Sequence, residues 1–198
     1  MPLFGLAIQP YFVLTAPNLI TFVRLLLVPV MVWLLLQGRH GLALAVFVTA
    51  AVSDVLDGFL ARRFQQQSYL GAVLDPAADK LMVVCTAVTL AWLELMPEWV
   101  AGAVILRDVV IVAGFLAYRW LRGHVEMRPT WLGKANTGLL FGVFTLVLAQ
   151  AAGLIELGRW LLVAYAILVG SIVASGLQYV WVWSAKAAHP GRSPMRGE

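Results

Sequence analysis

Four aspartates, Asp54, Asp57, Asp75 and Asp79, sit inside or against strongly apolar sequence, in the runs D-V-L-D-G-F-L-A-R-R and G-A-V-L-D-P-A-A-D-K. A buried carboxylate needs a partner or a metal. At bilayer depth a charge costs at least about 2.5 kcal/mol. Asp54 and Asp57 are three residues apart and Asp75 and Asp79 four, so each pair shares one side of a helix. The connection between the pairs is short, which makes the two helices antiparallel neighbours and lets all four carboxylates converge. Like charges that close take up protons unless a cation neutralises them. Oxygen donors without His or Cys favour a hard divalent ion, magnesium or manganese. Four carboxylates can bridge two ions, an arrangement suited to phosphoryl or phosphodiester transfer. Gly58 removes a side chain where a ligand approaches, and Ala61 and Gly71 leave room in the same way. Arg62 and Lys80 are placed to hold phosphate oxygens.

Two other readings use the same residues. One is an intramembrane network of ion pairs, such as Asp57 with Arg62 and Asp79 with Lys80. Residues 79 and 80 point in different directions on a helix, so local cancellation cannot be complete. The other is a divalent cation transporter, since intramembrane carboxylates also mark ion paths. Here the carboxylates gather at one end of their helices, which weighs against a path across the membrane.

The elements that must position this cluster follow from composition and period. The chain has 198 residues, 62% of them hydrophobic and 12% charged, with mean hydropathy +0.87. A soluble domain carries about 25% charged residues. The apolar runs are continuous rather than alternating, which disfavours a β-barrel and points to an all-α, polytopic membrane protein. Six transmembrane helices are expected. The first runs from Asn18 to about Leu36, the second from near Leu42 through Asp57, and the third from near Leu70 to about Leu93. The fourth covers about Val100 to Trp120, the fifth Trp131 to about Ala152, and the sixth Trp160 to about Trp183. Residues 1–17, broken by Pro2, Pro10 and Pro17, read as a short N-terminal interfacial segment, 18–183 as the membrane domain, and 184–198 as a disordered polar tail. No basic n-region or small-residue cleavage site is seen, so a cleaved signal peptide is not expected. Arg62, Arg63, Arg119, Arg122, Arg128, Lys134, Lys186, Arg192 and Arg196 fall on one side, against Arg39 and Arg159 on the other. By the positive-inside rule both termini and the acidic cluster are cytoplasmic.

The net charge of +4 suits anionic lipid headgroups, and the scattered basic residues give no nucleic-acid surface. Cys85 is the single cysteine and forms no internal disulfide. No Ser-His or Cys-His pair is apparent, and His40, His124 and His189 are expected in loops or tail. Trp99, Trp120, Trp131, Trp160 and Trp183 lie near helix ends, as an interfacial belt does. Gly102, Gly114, Gly138, Gly142, Gly170 and Gly176 are expected at close helix contacts.

The pattern Asp54-x2-Asp57-Gly58-x2-Ala61-Arg62-x8-Gly71-x3-Asp75-x3-Asp79 resembles the complete signature of the CDP-alcohol phosphatidyltransferases, with all eight fixed residues in place. Pro17-Asn18-Leu19-Ile20-Thr21 with Arg24 is similar to the opening of that family's first helix. Arg107-Asp108, Arg128-Pro129-Thr130 and Gly133-Lys134-x-Asn136-Thr137 resemble the cardiolipin synthase branch. The related phosphatidylglycerophosphate synthases share Gly-Lys and the later Thr but differ around Arg107-Asp108 and Asn136. The similarity covers most of Thr15 to about Ala149.

The resemblance implies six transmembrane helices, a homodimer and a site open to cytoplasm and lipid in a bacterial inner membrane. It implies that Asp54, Asp57, Asp75 and Asp79 bind Mg2+ or Mn2+, as two ions, and that Asp79 is the general base. Asp54, Gly58, Ala61, Arg62, Gly71 and Asp75 would shape the site for the donor, CDP-diacylglycerol. The acceptor is an alcohol, with phosphatidylglycerol first and glycerol 3-phosphate second. Arg107, Arg128 and Lys134 are the residues suited to an anionic acceptor.

Overall fold

The computed structural model describes residues 16–64, 69–122 and 131–188, and every regular element among them is a helix. The order is α1 (Ala16–Leu36), α2 (His40–Phe64), α3 (Tyr69–Trp92), α4 (Glu98–Arg122), α5 (Trp131–Ala151) and α6 (Arg159–Ala188). The chain divides into two compact units, Met1–Thr89 and Leu90–Glu198. Residues 1–15 of the expected interfacial segment and 189–198 of the expected tail lie outside the described residues.

Helix ends depart from expectation where backbone chemistry overrides hydropathy. His40 is the first residue of α2, not a loop residue. His124 and His189 lie outside the described residues. The turn before α4 is shorter than Glu94 to Trp99, because the Pro97 carbonyl accepts from Val100 and Ala101 and starts the helix at Glu98. Helix α6 continues past Trp183 to Ala188, since Ala185, Lys186, Ala187 and Ala188 are good helix formers whatever their polarity. Three helices end alike. After α1, Gly38 N–H donates to Leu35 and Arg39 to Leu34, and the same two bonds recur at Gly153 after α5 and at Glu94 after α3. The motif needs a left-handed residue; Gly38 and Gly153 supply φ of 70°, whereas Glu94 adopts φ 56° with a side chain.

In the first unit, α1 buries Thr21, Arg24, Val28, Met31 and Leu35, a stripe at three- and four-residue spacing. Helix α2 packs along α1 and buries Ala43, Phe47 and Ala50. Helix α3 buries Ala78, Met82, Val83 and Thr86. Thr86 Oγ1 lies 3.5 Å from the Met31 sulfur and donates to the Met82 carbonyl, a contact that sets α3 against α1.

In the second unit, α6 contacts both α4 and α5. Its stripe Leu161, Tyr165, Leu168, Ile172 and Ser175 is buried, as are Val100, Ala101, Val104 and Asp108 of α4 and Asn136, Leu140, Val143, Phe144 and Val147 of α5. The Ser171 hydroxyl donates to Asn136 Oδ1 at 2.7 Å, a neutral link between α5 and α6.

Close packing falls to alanine rather than to the expected glycines. A Cβ added at Gly102, Gly138, Gly142, Gly170 or Gly176 would meet nothing within 4 Å. The fully buried small residues are Ala43, Ala50, Ala78, Ala87 and Ala101 instead. The stretch Arg159–Gln178 of α6 is long and apolar enough to cross a membrane, while Thr21–Leu36, His40–Asp54 and Ala135–Ala151 are apolar but shorter.

Candidate active site

Each apolar stripe of the first unit runs into a charged residue. On α2 the spacing that buries Phe47 and Ala50 next delivers Asp54. On α3, Asp79 stands one turn before Val83. On α1, Arg24 stands one turn before Val28. The three meet: Arg24 Nη1 donates to Asp54 Oδ1 at 2.7 Å and to Asp79 Oδ1 at 2.9 Å. The arginine side chain is 2% exposed, whereas those of Asp54 and Asp79 are 36% and 41% exposed. The guanidinium is thus beneath the carboxylates, and anything arriving from outside meets the acids first.

This arrangement partly answers how the acidic cluster is neutralised. Among the described residues, one guanidinium faces two carboxylates there. The donor set is oxygen only, reachable, and drawn from two helices, which is the chemistry a hard divalent ion requires. Among the described residues no third His, Cys, Asp or Glu joins the pair. Asp57, Gly58, Ala61 and Arg62 belong to α2, and Gly71 and Asp75 to α3, but their side chains lie outside the described ones. The same holds for Lys134 in the first turn of α5, and Arg128 lies outside the described residues altogether.

Arg107 is described, and its surroundings are local. Its Nη1 donates to Asp108 Oδ1 at 2.8 Å, with side chains 14% and 10% exposed. Its buried Nε has no hydrogen-bond partner among the described residues. The neighbouring acid therefore carries much of the charge that an anionic acceptor would otherwise meet.

Arg24 has no role in the sequence pattern beyond the family-like opening of the first helix. The signal was present. Helix α1 contains no Asp or Glu, so an arginine in its apolar length can be neutralised only from another helix.

Residues 14–182 match the family model of the CDP-alcohol phosphatidyltransferases. A cardiolipin synthase (CMP-forming) of Streptomyces coelicolor is 40% identical over 144 residues, covering 69% of this chain and 66% of that protein. A human cardiolipin synthase (CMP-forming) is 33% identical over 141 residues, 63% of this chain and 47% of that protein. A Schizosaccharomyces pombe cardiolipin synthase (CMP-forming) / mitochondrial hydrolase fusion protein is 34% identical over 153 residues, 70% of this chain and 26% of that protein. The chain thus spans just under two thirds of the bacterial relative and half or less of the other two.

Proposed function

This chain belongs to the CDP-alcohol phosphatidyltransferase family, and on that premise we propose that it moves the phosphatidyl group of CDP-diacylglycerol to phosphatidylglycerol, forming cardiolipin and releasing CMP. The observation that carries the reading is the meeting of Asp54 and Asp79, from two helices, within an eight-residue signature. Asp54, Asp57, Asp75 and Asp79 would hold two Mg2+ or Mn2+ ions. Bound by these residues, such ions would supply positive charge to offset that on the phosphoryl oxygens and on departing CMP.

The protein's own residues do the rest. Gly58, Ala61 and Gly71 leave space for the cytidine and its phosphates, and Arg62 holds a phosphate oxygen. Asp79 takes the proton of the acceptor hydroxyl as its oxygen attacks the lipid-linked phosphorus. The bond from that phosphorus to the CMP oxygen breaks, and the electron pair leaves with CMP. No covalent enzyme intermediate is required. Arg107, Arg128 and Lys134 are the proposed contacts for an anionic acceptor; the pairing of Arg107 with Asp108 makes Arg128 and Lys134 the stronger two.

The same reading makes the protein a multi-pass membrane protein with the acidic cluster at the cytoplasmic surface, acting as a homodimer. The exposed Trp92, Trp99 and Trp160 at the α3–α4 and α5–α6 turns support an interfacial belt at those helix ends. Exposed Gly138 and Gly142 on α5 leave a small-residue face open for a second copy.

The test is a product assay on purified protein in mixed micelles with CDP-diacylglycerol, Mg2+ or Mn2+, and one acceptor at a time. CMP and cardiolipin from phosphatidylglycerol alone are expected. Product from glycerol 3-phosphate alone would make the chain a phosphatidylglycerophosphate synthase and withdraw the acceptor assignment. No CMP with either would overturn the reading.

A further inference from the structure

We propose that Arg24 is a positioning residue for the metal site. From beneath, it holds the Asp54 and Asp79 carboxylates in the relation that divalent ions need. The proposal rests on the function proposed above and concerns a residue outside the acidic signature.

Three observations carry it. Arg24 is buried to 2% exposure, and its partners are 36% and 41% exposed, so the cation lies on the protein side of both acids. Both contacts come from one atom, Nη1, and both end on an Oδ1, at 2.7 and 2.9 Å. A single nitrogen thereby ties α2 to α3 at the level of the site. Finally, α1 offers no acid of its own, so the charge of Arg24 is met from other helices, Asp54 and Asp79 among the described residues.

The consequence follows from how groups behind a metal ligand act. A donor that grips one oxygen of a carboxylate fixes the orientation of the whole group, and losing such a partner costs about 10–100-fold in metal affinity or activity. Without Arg24, two like charges on different helices repel and separate. With it, they stay close enough to serve one site.

The exposure also makes the residue testable. Removing Arg24 leaves two carboxylates that water already reaches, so Arg24→Met should fold, its apolar stem filling the buried space. Arg24→Lys keeps a cation at this position, and its ammonium has donors for both carboxylates. The experiment is a Mn2+ titration of the purified full chain in detergent, read by electron paramagnetic resonance without substrate, with CMP release measured alongside. Arg24→Met and Arg24→Gln are both made, and elution profile and melting temperature confirm folding.

The expected result is Mn2+ binding weakened about 10–100-fold in the folded neutral variant, with CMP release falling in parallel, and recovery to within about tenfold of wild type in Arg24→Lys. Mn2+ affinity within about twofold of wild type in either folded neutral variant overturns the proposal. So does aggregation of both neutral variants, because it makes Arg24 a folding residue. Wild-type protein that binds Mn2+ but releases no CMP overturns the proposed function and leaves this titration to judge Arg24. Wild-type protein that binds no Mn2+ overturns both.

Discussion

Arg24 and Arg107 both carry a guanidinium into the interior of an apolar helix, and they are neutralised in opposite ways. Arg107 takes the acid next to it in the chain, Asp108, and the pair is nearly enclosed at 14% and 10% exposure. Arg24 finds no acid on α1 and takes Asp54 from α2 and Asp79 from α3, both substantially exposed. A pair formed between chain neighbours lets a helix carry charge through an apolar region. A pair that reaches across helices couples their positions, and exposed acids leave that coupling open to a ligand. Burial of a charge alone therefore does not mark a site; the span of its partners and their access do.

The largest expected effect lies on the exposed side of the Arg24 group. Asp79→Asn keeps a hydrogen-bond acceptor for Arg24 but cannot take a proton, so CMP release should fall about 10²–10⁴-fold with the fold retained. Near-normal turnover would remove Asp79 as the base.

Next comes a crossing between the two arginines. Arg107→Gln removes the neighbouring cation from an acid in an enclosed place and should lower stability by about 1–3 kcal/mol. Replacing both, as Arg107→Met with Asp108→Leu, should restore most of it, because the buried acid goes too. Mn2+ affinity should not change in the double variant. Arg24→Met should behave conversely, losing more metal affinity than stability. Thermal unfolding in detergent beside the Mn2+ titration reads both. Equal losses of stability at the two positions would mean that access of the partner acids does not matter.

A smaller effect is expected for Arg128→Gln and Lys134→Gln, which should raise the KM for the anionic acceptor about tenfold each while sparing donor KM, as loss of one charge-assisted hydrogen bond does. Unchanged acceptor kinetics in both would remove them from the site.

Much of this was legible before any coordinates. Continuous apolar runs mark six helices, and six are described; most ends agree to within about two residues, while α2 runs on to Phe64 and α6 to Ala188. Spacing put Asp54 and Asp79 on faces that could meet, and they do. What sequence could not supply was the tertiary partner. The pairing of Arg24 is a contact between residues 55 positions apart, and hydropathy carries no such information. The helix glycines misled for a related reason: a small residue permits close approach, but which face turns inward is decided by the neighbouring helix. Alanines on the buried stripes took that role, and Gly102, Gly138, Gly142 and Gly170 stayed exposed.

The weakest link sharpens the contrast between the units. In the first, the link across helices is ionic and reaches exposed acids; in the second it is neutral, from Ser171 to Asn136 at 2.7 Å. The Ser171 hydroxyl also lies 2.8 Å from the Leu168 carbonyl of its own helix. Ser171→Ala removes the link across helices but leaves that carbonyl within the helix. Asn136 is 4% exposed, so its Oδ1 then loses a partner in a place with little water. The expected cost is about 1 kcal/mol, a fall of about 2–4 °C in melting temperature for a chain of this size, with Mn2+ affinity unaltered. A fall as large as that of Arg107→Gln would mean that the neutral link holds α5 to α6 as firmly as charge holds the first unit. The organising role assigned to the ionic contact of Arg24 would then belong to any buried polar contact between helices.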